Sequence, residues 1–340
     1  MAAIPDTTRL VVLAQRPNGA PKPEDFRIET RGLPPLETGM ALVASRFIPV
    51  SPALRVRLDG NASFAPPLLP GAVIEGNGIG IVLASQVRDL QAGDWVSGNL
   101  GWREAHVLPA NGLRKLDVSR LAPELYAGIL GSAGLTAYFG VTAYGDVKPG
   151  ETMVVSSAAG GVGSAAGQIA ALLGARVIGI AGGEEKCAWL TEELGFAGAI
   201  DHKHETDLTA AVRKLCPDGV DVLFDNVGNA LIDALLPCMR MQGRVLLCGQ
   251  VADYNLPPES RRGITQTGFI ITRRLRLLGI ASQTHNADYA AAIARIGDWV
   301  LQGRLHHKED MRDGLEVLPS AFAELFAHTN RIGRIIARIH

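Results

Sequence analysis

The residues best placed to do chemistry are small ones. Ser157-Ala158-Ala159-Gly160-Gly161-Val162-Gly163 follows a short apolar run, Thr152-Met153-Val154-Val155, and precedes a helix-like stretch. The spacing Ala158-x-Gly160-x-x-Gly163 fits the fingerprint G-x-G-x-x-G, with Ala in the first slot. Gly160 would let the backbone approach a pyrophosphate, and Gly163 would let the helix lie tight on the strand. The helix N-terminus would add free N–H groups and a partial positive charge. A generic βαβ turn with no ligand is the alternative. The strand–turn–helix context favours a nucleotide.

The end of the next strand, Arg176-Val177-Ile178-Gly179-Ile180, bears on which nucleotide. An NAD site places Asp or Glu there to hold the ribose 2′-hydroxyl. This chain has Ala181-Gly182-Gly183 and then Glu184-Glu185-Lys186. Two glycines leave room for a 2′-phosphate, and Lys186 supplies a nearby cation. The pattern favours NADP over NAD, although Lys186 also reads as a solvated surface charge. Two more residues stand out. Asn226 ends an apolar strand on the edge where ligands bind in such sheets, or simply forms a turn. Tyr254 brings a hydroxyl to a loop, Val251-Ala252-Asp253-Tyr254-Asn255, or merely caps the sheet edge.

These residues need elements to hold them. The chain has 340 residues, 47% hydrophobic and 20% charged, with a net charge of −1. That is a cytosolic-type composition with a real core, sized for two domains. It carries no electrostatic footprint for nucleic acid. Cys187, Cys216, Cys238 and Cys248 show no CxxC spacing and read as reduced thiols. The N-terminus, MAAIPDTTRL, lacks a leader pattern, and no apolar run is long enough to span a membrane. Residues 1–125 are rich in short strand signals and in Pro and Gly turns, as in a β-barrel-like domain. Residues 126–300 alternate helix and strand, the pattern of a doubly wound parallel sheet. The helix after the glycine turn is expected to bury Ile169, Leu172 and Leu173 and to stop at Gly174. The helix carrying Lys186 is expected to run to Leu194, and Arg244 to Gly249 to form a strand. Residues 301–340 read as a helix and a strand, Ile335-Ile336-Ala337-Arg338-Ile339, that return to complete the first domain. The histidines His106, His285, His306, His307 and His328 show no partner spacing.

Taken together the motifs resemble a known family. They are Gly101-Trp102, Gly112-Leu113-Arg114-Lys115-Leu116-Asp117, Gly134-Leu135-Thr136-Ala137-Tyr138-Phe139-Gly140, Ser156 to Gly163, Glu185-Lys186-Cys187, Phe224-Asp225-Asn226-Val227-Gly228, Cys248-Gly249 with Tyr254-Asn255, and Asp313-Gly314-Leu315-Glu316. Over almost its full length the chain resembles the zinc-independent medium-chain dehydrogenases/reductases of the leukotriene B4 12-hydroxydehydrogenase and 15-oxo-prostaglandin 13-reductase type. The resemblance implies an α/β fold, with a doubly wound Rossmann sheet and a GroES-like β-rich catalytic domain. It implies NADPH-dependent reduction of the carbon–carbon double bond of enals and enones in a cytoplasmic homodimer. A quinone or alcohol/ketone oxidoreductase, or a nucleotide-binding protein without turnover, are the alternatives.

Carried onto this chain, the family's pattern implies that Gly160, Gly161, Val162 and Gly163 bind the pyrophosphate and Lys186 the 2′-phosphate. It places Asn226, Cys248, Gly249 and Tyr254 along the nicotinamide half, and Asn330 near the cofactor. Tyr254, or the nicotinamide ribose, would donate to the developing oxyanion; Tyr254 or solvent would protonate the α-carbon. Zinc-bearing relatives carry Gly-His-Glu where this chain has Gly71-Ala72-Val73, so no metal is expected. The chain departs from the family in five further places. His202 replaces a Tyr near the 2′-phosphate. Ser51-Pro52-Ala53-Leu54-Arg55 replaces Asp-Pro-Tyr-Met-Arg, which puts Ala53 and Leu54 on the expected substrate pocket wall. Gly-Gly and Gly-Ser of the family are Gly228-Asn229 and Gly182-Gly183 here. Asn330-Arg331-Ile332-Gly333-Arg334 is one residue longer than the family's spacing.

Overall fold

A computed structural model of the chain describes residues 5–60, 65–327 and 330–340. The chain divides into two compact units: Met1–Gly128 with Asp310–Thr329 and Arg334–His340, and Ile129–Glu309 with Asn330–Gly333.

The first unit is antiparallel β structure. Strands β1 (Thr7–Leu13) and β2 (Phe26–Gly32) form a ribbon. Strand β3 (Met40–Pro49) is followed by a five-residue helix, α1 (Leu54–Leu58), and by β4 (Gly78–Ser85), β5 (Trp95–Gly98), β6 (Ala105–Pro109) and β7 (Arg114–Lys115). Frequent Pro and Gly keep these strands short. The core gathers Val11, Leu13, Ile48, Leu58, Trp102, Phe322 and Ile335. Phe26 and Phe322 flank Trp102 with ring centroids 5.6 and 6.0 Å away, and such rings contribute a large share of the apolar area removed from water.

The second unit holds six parallel strands: β8 (Thr152–Val155), β9 (Arg176–Ala181), β10 (Gly198–Asp201), β11 (Val220–Asp225), β12 (Met239–Leu247) and β13 (Arg276–Gly279). Their order is β10-β9-β8-β11-β12-β13. The order reverses between β8 and β11, and ligands bind at the carboxyl ends of strands at such a switch point. β12 stops at Leu247, so Cys248 and Gly249 lie in the loop beyond it, not in the strand the apolar run suggested.

Three helices of this unit bear on the glycine turn and the end of β9: α2 (Ser132–Phe139), α3 (Gly161–Leu172) and α4 (Glu184–Ala188). α3 lies between the sheet and α2, and it buries Gly163 through Ala170. Ile169 is fully buried as expected, while Leu172 and Leu173 are only half-buried. A helix covered on two sides packs closely through Gly and Ala, and its larger residues emerge in the last turn. Gly174, at φ +90°, ends it. The Lys186 helix is α-helical only to Ala188; a π turn, Trp189–Glu193, completes it.

The last strands are β14 (Glu309–Asp313) and β15 (Arg334–Arg338). β15 pairs antiparallel with β3, so the end of the chain completes the sheet of the first unit.

Candidate active site

The glycine turn is fixed by backbone constraints. Ser157 adopts φ +49°, a left-handed value costly for a residue with a side chain. Gly160 N–H donates to Ser157 O at 3.0 Å, and Gly160 is the N-cap of α3. A Cβ on Gly163 would lie 2.4 Å from Ser157 O and 2.9 Å from the Ala158 Cα, so only Gly fits. The Ala in the first slot has its own explanation. Across from it is Gly179, whose added Cβ would stand 3.0 Å from the Ala158 methyl; the neighbouring strand has given up a side chain to make room. The first turn of α3 therefore presents the N–H groups of Gly161, Val162 and Gly163, at the positive end of a twelve-residue helix. This cradle fits a diphosphate.

At the switch point, Ser156 and Asp225 join β8 to β11. Ser156 Oγ donates to Asp225 Oδ1 at 2.7 Å and accepts from Asn226 N–H at 2.8 Å. The Asn226 side chain donates to Ser156 O at 2.8 Å, so its amide is aimed by the turn it closes. Asp225 is fully buried. Its carboxylate also accepts from Gly228 N–H at 2.8 Å, and its carbonyl accepts from Cys248 N–H at 2.8 Å. Burial pushes this carboxyl up to about 6, with Asp253 adding to the shift and the Ser156, Val227 and Gly228 donors opposing it. Sequence reading passed Asp225 over as a site residue, since an Asp in a strand-end turn looks like ordinary turn chemistry.

The loop carrying Tyr254 rests on that turn. Val251 N–H donates to Asn226 O and Ala252 N–H to Val227 O, at 3.3 and 3.1 Å. A Cβ on Gly249 would lie 3.2 Å from Asn226 O and 3.7 Å from the Tyr254 hydroxyl. The hydroxyl thus stands beside Gly249, beyond the carboxyl ends of β11 and β12. Burial raises its pKa above the ordinary tyrosine value, with Gln250 opposing. It keeps its proton at neutral pH and is available as a donor. The Cys248 thiol is pushed up to about 12 by desolvation and by Asp225, so it is no nucleophile.

The end of β9 is ringed by positive charge. The pKa of Lys186 is lowered, first by burial, then by the cations Lys203 and Arg331, with Glu185 opposing. His202 and Lys203 close on Gly182, whose added Cβ would lie 2.9 Å from His202 Nε2 and 3.1 Å from Lys203 Cε. Asn330 Oδ1 lies 3.8 Å from the same point on Gly183. Asp201 holds the loop in place: it accepts from Gly183 N–H at 2.7 Å and Lys203 N–H at 3.0 Å, and pairs with His204. These bonds keep its carboxyl down at about 2. A desolvated cluster of cations beyond the second strand fits a phosphate monoester on the adenosine ribose. Lys186, His202 and Asn330 were legible for this place; Lys203 and Arg331 were not singled out, although Lys203 adjoins His202.

In the first unit Ala53 is exposed at the N-cap of α1, whereas Leu54 is buried in the core of that unit. Arg55 is buried too, paired with Asp59 and donating to Gly19 O at 2.8 Å. Among the described residues no group of three or more His, Cys, Asp and Glu is placed to hold a metal ion, and no helix is long and apolar enough to cross a membrane. His285 stacks on Phe139, His307 pairs with Glu309 at 2.7 Å, and burial lowers His106 to about 4; His328 lies outside the described residues. An open cavity of about 530 Å³ lies at the amino ends of β11 and β12, lined by Asp218, Asp221, Arg240 and Arg273. That is the end of the sheet opposite to the cradle.

Known proteins share this arrangement. Residues 9–116 match the family model of the N-terminal domain of oxidoreductases, and residues 161–298 that of the zinc-binding dehydrogenases. The chain is 37% identical over 332 residues to the NADPH-dependent curcumin reductase of Escherichia coli, covering 96% of each. It is 33% identical over 338 residues to the NADP-dependent 2-alkenal reductase of Nicotiana tabacum, covering 98% of each. The crystal structure of CurA from Vibrio vulnificus in complex with NADPH superposes with a TM-score of 0.90 at 32% identity, covering 98% of this chain and 99% of that one. With the glycine cradle, the parallel six-stranded sheet and these relatives, the chain belongs to the zinc-independent medium-chain dehydrogenases/reductases, in the branch of the alkenal and prostaglandin reductases.

Proposed function

We propose that this protein reduces the carbon–carbon double bond of α,β-unsaturated ketones and aldehydes at the expense of NADPH. The observation that carries the reading is the pairing of a diphosphate cradle at Gly160–Gly163 with the cations around Gly182. It is supported by relatives named as NADPH-dependent curcumin reductase and NADP-dependent 2-alkenal reductase.

The residues divide the work. Gly160, Gly161, Val162 and Gly163 hold the diphosphate. Lys186, His202 and Asn330 serve the 2′-phosphate end; Asn226, Cys248, Gly249 and Tyr254 line the nicotinamide end. When bound, NADPH supplies the hydride for the β-carbon. Negative charge then gathers on the substrate carbonyl oxygen. The protonated Tyr254 hydroxyl donates to that oxygen, and its proton, or one from solvent, reaches the α-carbon to give the saturated carbonyl. Asn226, held by Ser156, keeps the floor beneath the Tyr254 loop rigid. The unit Ile129–Glu309 with Asn330–Gly333 serves as the cofactor-binding domain, and the unit Met1–Gly128 with Asp310–Thr329 and Arg334–His340 as the catalytic domain, so the expected bounds of 126–300 and 301–340 shift and residues 330–333 go to the cofactor side. Ala53, which is exposed, belongs to the substrate side, whereas Leu54, expected beside it on the pocket wall, packs in the core of the first unit. The working form is a cytoplasmic homodimer; β13, the outermost strand of the parallel sheet, offers an edge that a second copy can extend.

The test is a spectrophotometric panel of enones, enals, quinones and simple ketones with NADPH, with product analysis for the saturated carbonyl. Turnover of quinones or ketones with enones inert would overturn the reading. So would tight NADPH binding with no oxidation on any substrate.

A further inference from the structure

The segment Asn330–Gly333 clusters with the second unit, apart from the strand that follows it. Its register is locked at Gly333. This residue forms a parallel bridge with Gly160, and its N–H donates to Ala159 O at 2.8 Å. It has φ +78°, and an added Cβ would lie 1.9 Å from Lys308 O. No side chain is possible there, so the position of every residue just before Gly333 is set by counting back from the glycine cradle. Asn330 reaches Gly183. Arg331 follows, and its charge acts on Lys186 together with that of Lys203. Its guanidinium donates to Gly333 O at 3.2 Å, which folds the side chain along its own segment.

Three elements far apart in sequence thus bring Lys186, Lys203 and Arg331 to the end of β9. Like charges so gathered repel, and partial burial makes the repulsion worse. Glu185 offsets part of this at Lys186, and the Asp201 carboxylate accepts from Gly183 N–H and Lys203 N–H and pairs with His204. Such an arrangement is stabilised by a multiply charged anion, and a phosphate monoester carries close to two negative charges.

We propose that Arg331 is a specificity-determining residue that contacts the 2′-phosphate of NADPH, brought there by the extra residue between Asn330 and Gly333. The inference rests on the NADPH reading above. Arg331 offers a planar fork of donors, where Lys186 and Lys203 act as point charges. It supplies discrimination against NADH where His202 stands in place of a tyrosine.

The experiment measures dissociation constants of NADPH, NADH and adenosine 2′,5′-bisphosphate by calorimetry on the full chain. The proteins are the wild type, Arg331→Ala, Arg331→Gln and, as a control, Lys186→Ala. Arg331→Gln keeps a donor for Gly333 O and loses only the charge. Both Arg331 variants are expected to bind NADPH and the bisphosphate roughly tenfold or more weakly, with NADH changed by less than about twofold. Equal losses for NADPH and NADH would make Arg331 a support of the segment and overturn the proposal. Unchanged NADPH affinity in both variants, with the Lys186→Ala loss intact, would overturn it while leaving the NADPH reading standing. A wild type that binds NADH as tightly as NADPH would overturn both.

Discussion

Ser156 Oγ and Asp225 Oδ1 lie 2.7 Å apart, and this bond ties the carboxyl ends of β8 and β11 where the strand order reverses. The serine follows the first strand of the cofactor-type sheet, and the aspartate ends the fourth. Through Val227, Gly228 and the backbone of Cys248, the same carboxylate-bearing residue organises the turn on which the loop of Tyr254 rests. A buried carboxylate so placed makes stability depend on pH.

The sign is set by the direction of the shift. Asp225 sits at about 6 in the folded protein against an ordinary value of 3.8. The folded state therefore binds the proton more tightly than the unfolded state. The contribution of Asp225 to stability falls as pH rises from about 3.8 to about 6, and the ionised form then costs on the order of 3 kcal/mol. Asp225→Asn removes this dependence. With its oxygen kept for Ser156 and Val227, the new amide also turns a donor toward the Gly228 N–H, at a cost of about 1–3 kcal/mol. Denaturant unfolding of both proteins between pH 4 and pH 7 checks this. The wild type should lose stability relative to the variant as pH rises; parallel profiles would show that Asp225 does not titrate in this range.

On the proposed function Lys186 pairs with the 2′-phosphate, and Lys186→Ala would remove a charge-assisted contact worth about 1.5–3 kcal/mol. NADPH should bind roughly ten to a hundred times more weakly, with little change for NADH. Equal losses for both cofactors would show that Lys186 does not read the phosphate.

What the sequence disclosed about this site was its local chemistry. The glycine cradle is contiguous, and each of its residues acts through the backbone next to it, so spacing alone identifies it. Lys186 is nearly as local, lying a few residues past the second strand. Arg331 and Lys203 are different. Their place beside Lys186 arises only when the residues after β10 pack on Gly182 and the segment fixed by Gly333 reaches Gly183. The fold behaved likewise. Alternating elements revealed the parallel sheet, and the apolar end of the chain was legible as a returning strand. The buried face of α3 was legible at Ile169 but not at Leu172 and Leu173, because a helix covered on two sides buries Gly and Ala and lets its larger residues emerge in the last turn.

Tyr254→Phe keeps the ring and removes the hydroxyl beside Gly249. Loss of a donor to a developing oxyanion lowers kcat by about 10²–10³-fold. NADPH affinity should be unchanged, because the ring still packs against the loop. Steady-state kinetics with a calorimetric NADPH titration separates the two. An unchanged kcat would remove Tyr254 from the chemistry and leave solvent as the proton source.

Prolonged dialysis against a strong chelator should leave activity intact. The family resemblance sets Ala72 where zinc-bearing relatives carry a histidine, and among the described residues no group of three or more His, Cys, Asp and Glu is placed to hold a metal ion. A loss of activity restored only by added zinc would contradict the family assignment's zinc independence.

The last prediction concerns the substrate side. Ala53 is exposed at the N-cap of α1, and Leu54 next to it is buried in the core of the first unit. A tyrosine at position 53 therefore projects outward and does not overpack the core, which would otherwise cost typically 1–3 kcal/mol. The same change at position 54 would. Ala53→Tyr should leave the thermal midpoint and NADPH affinity close to the wild-type values. Its ring and hydroxyl should occupy apolar space that the wild type offers to substrate, where burial contributes about 25 cal/mol per Å². Bulky apolar enones should then lose kcat/KM relative to small or polar ones. The measurement is kcat/KM across enones of graded size, taken with the thermal midpoint of each protein. A retained midpoint with an unchanged size preference would mean that position 53 faces solvent and not substrate. A large drop in midpoint would mean that the tyrosine turns inward against Leu54, and the pocket reading would fall with it.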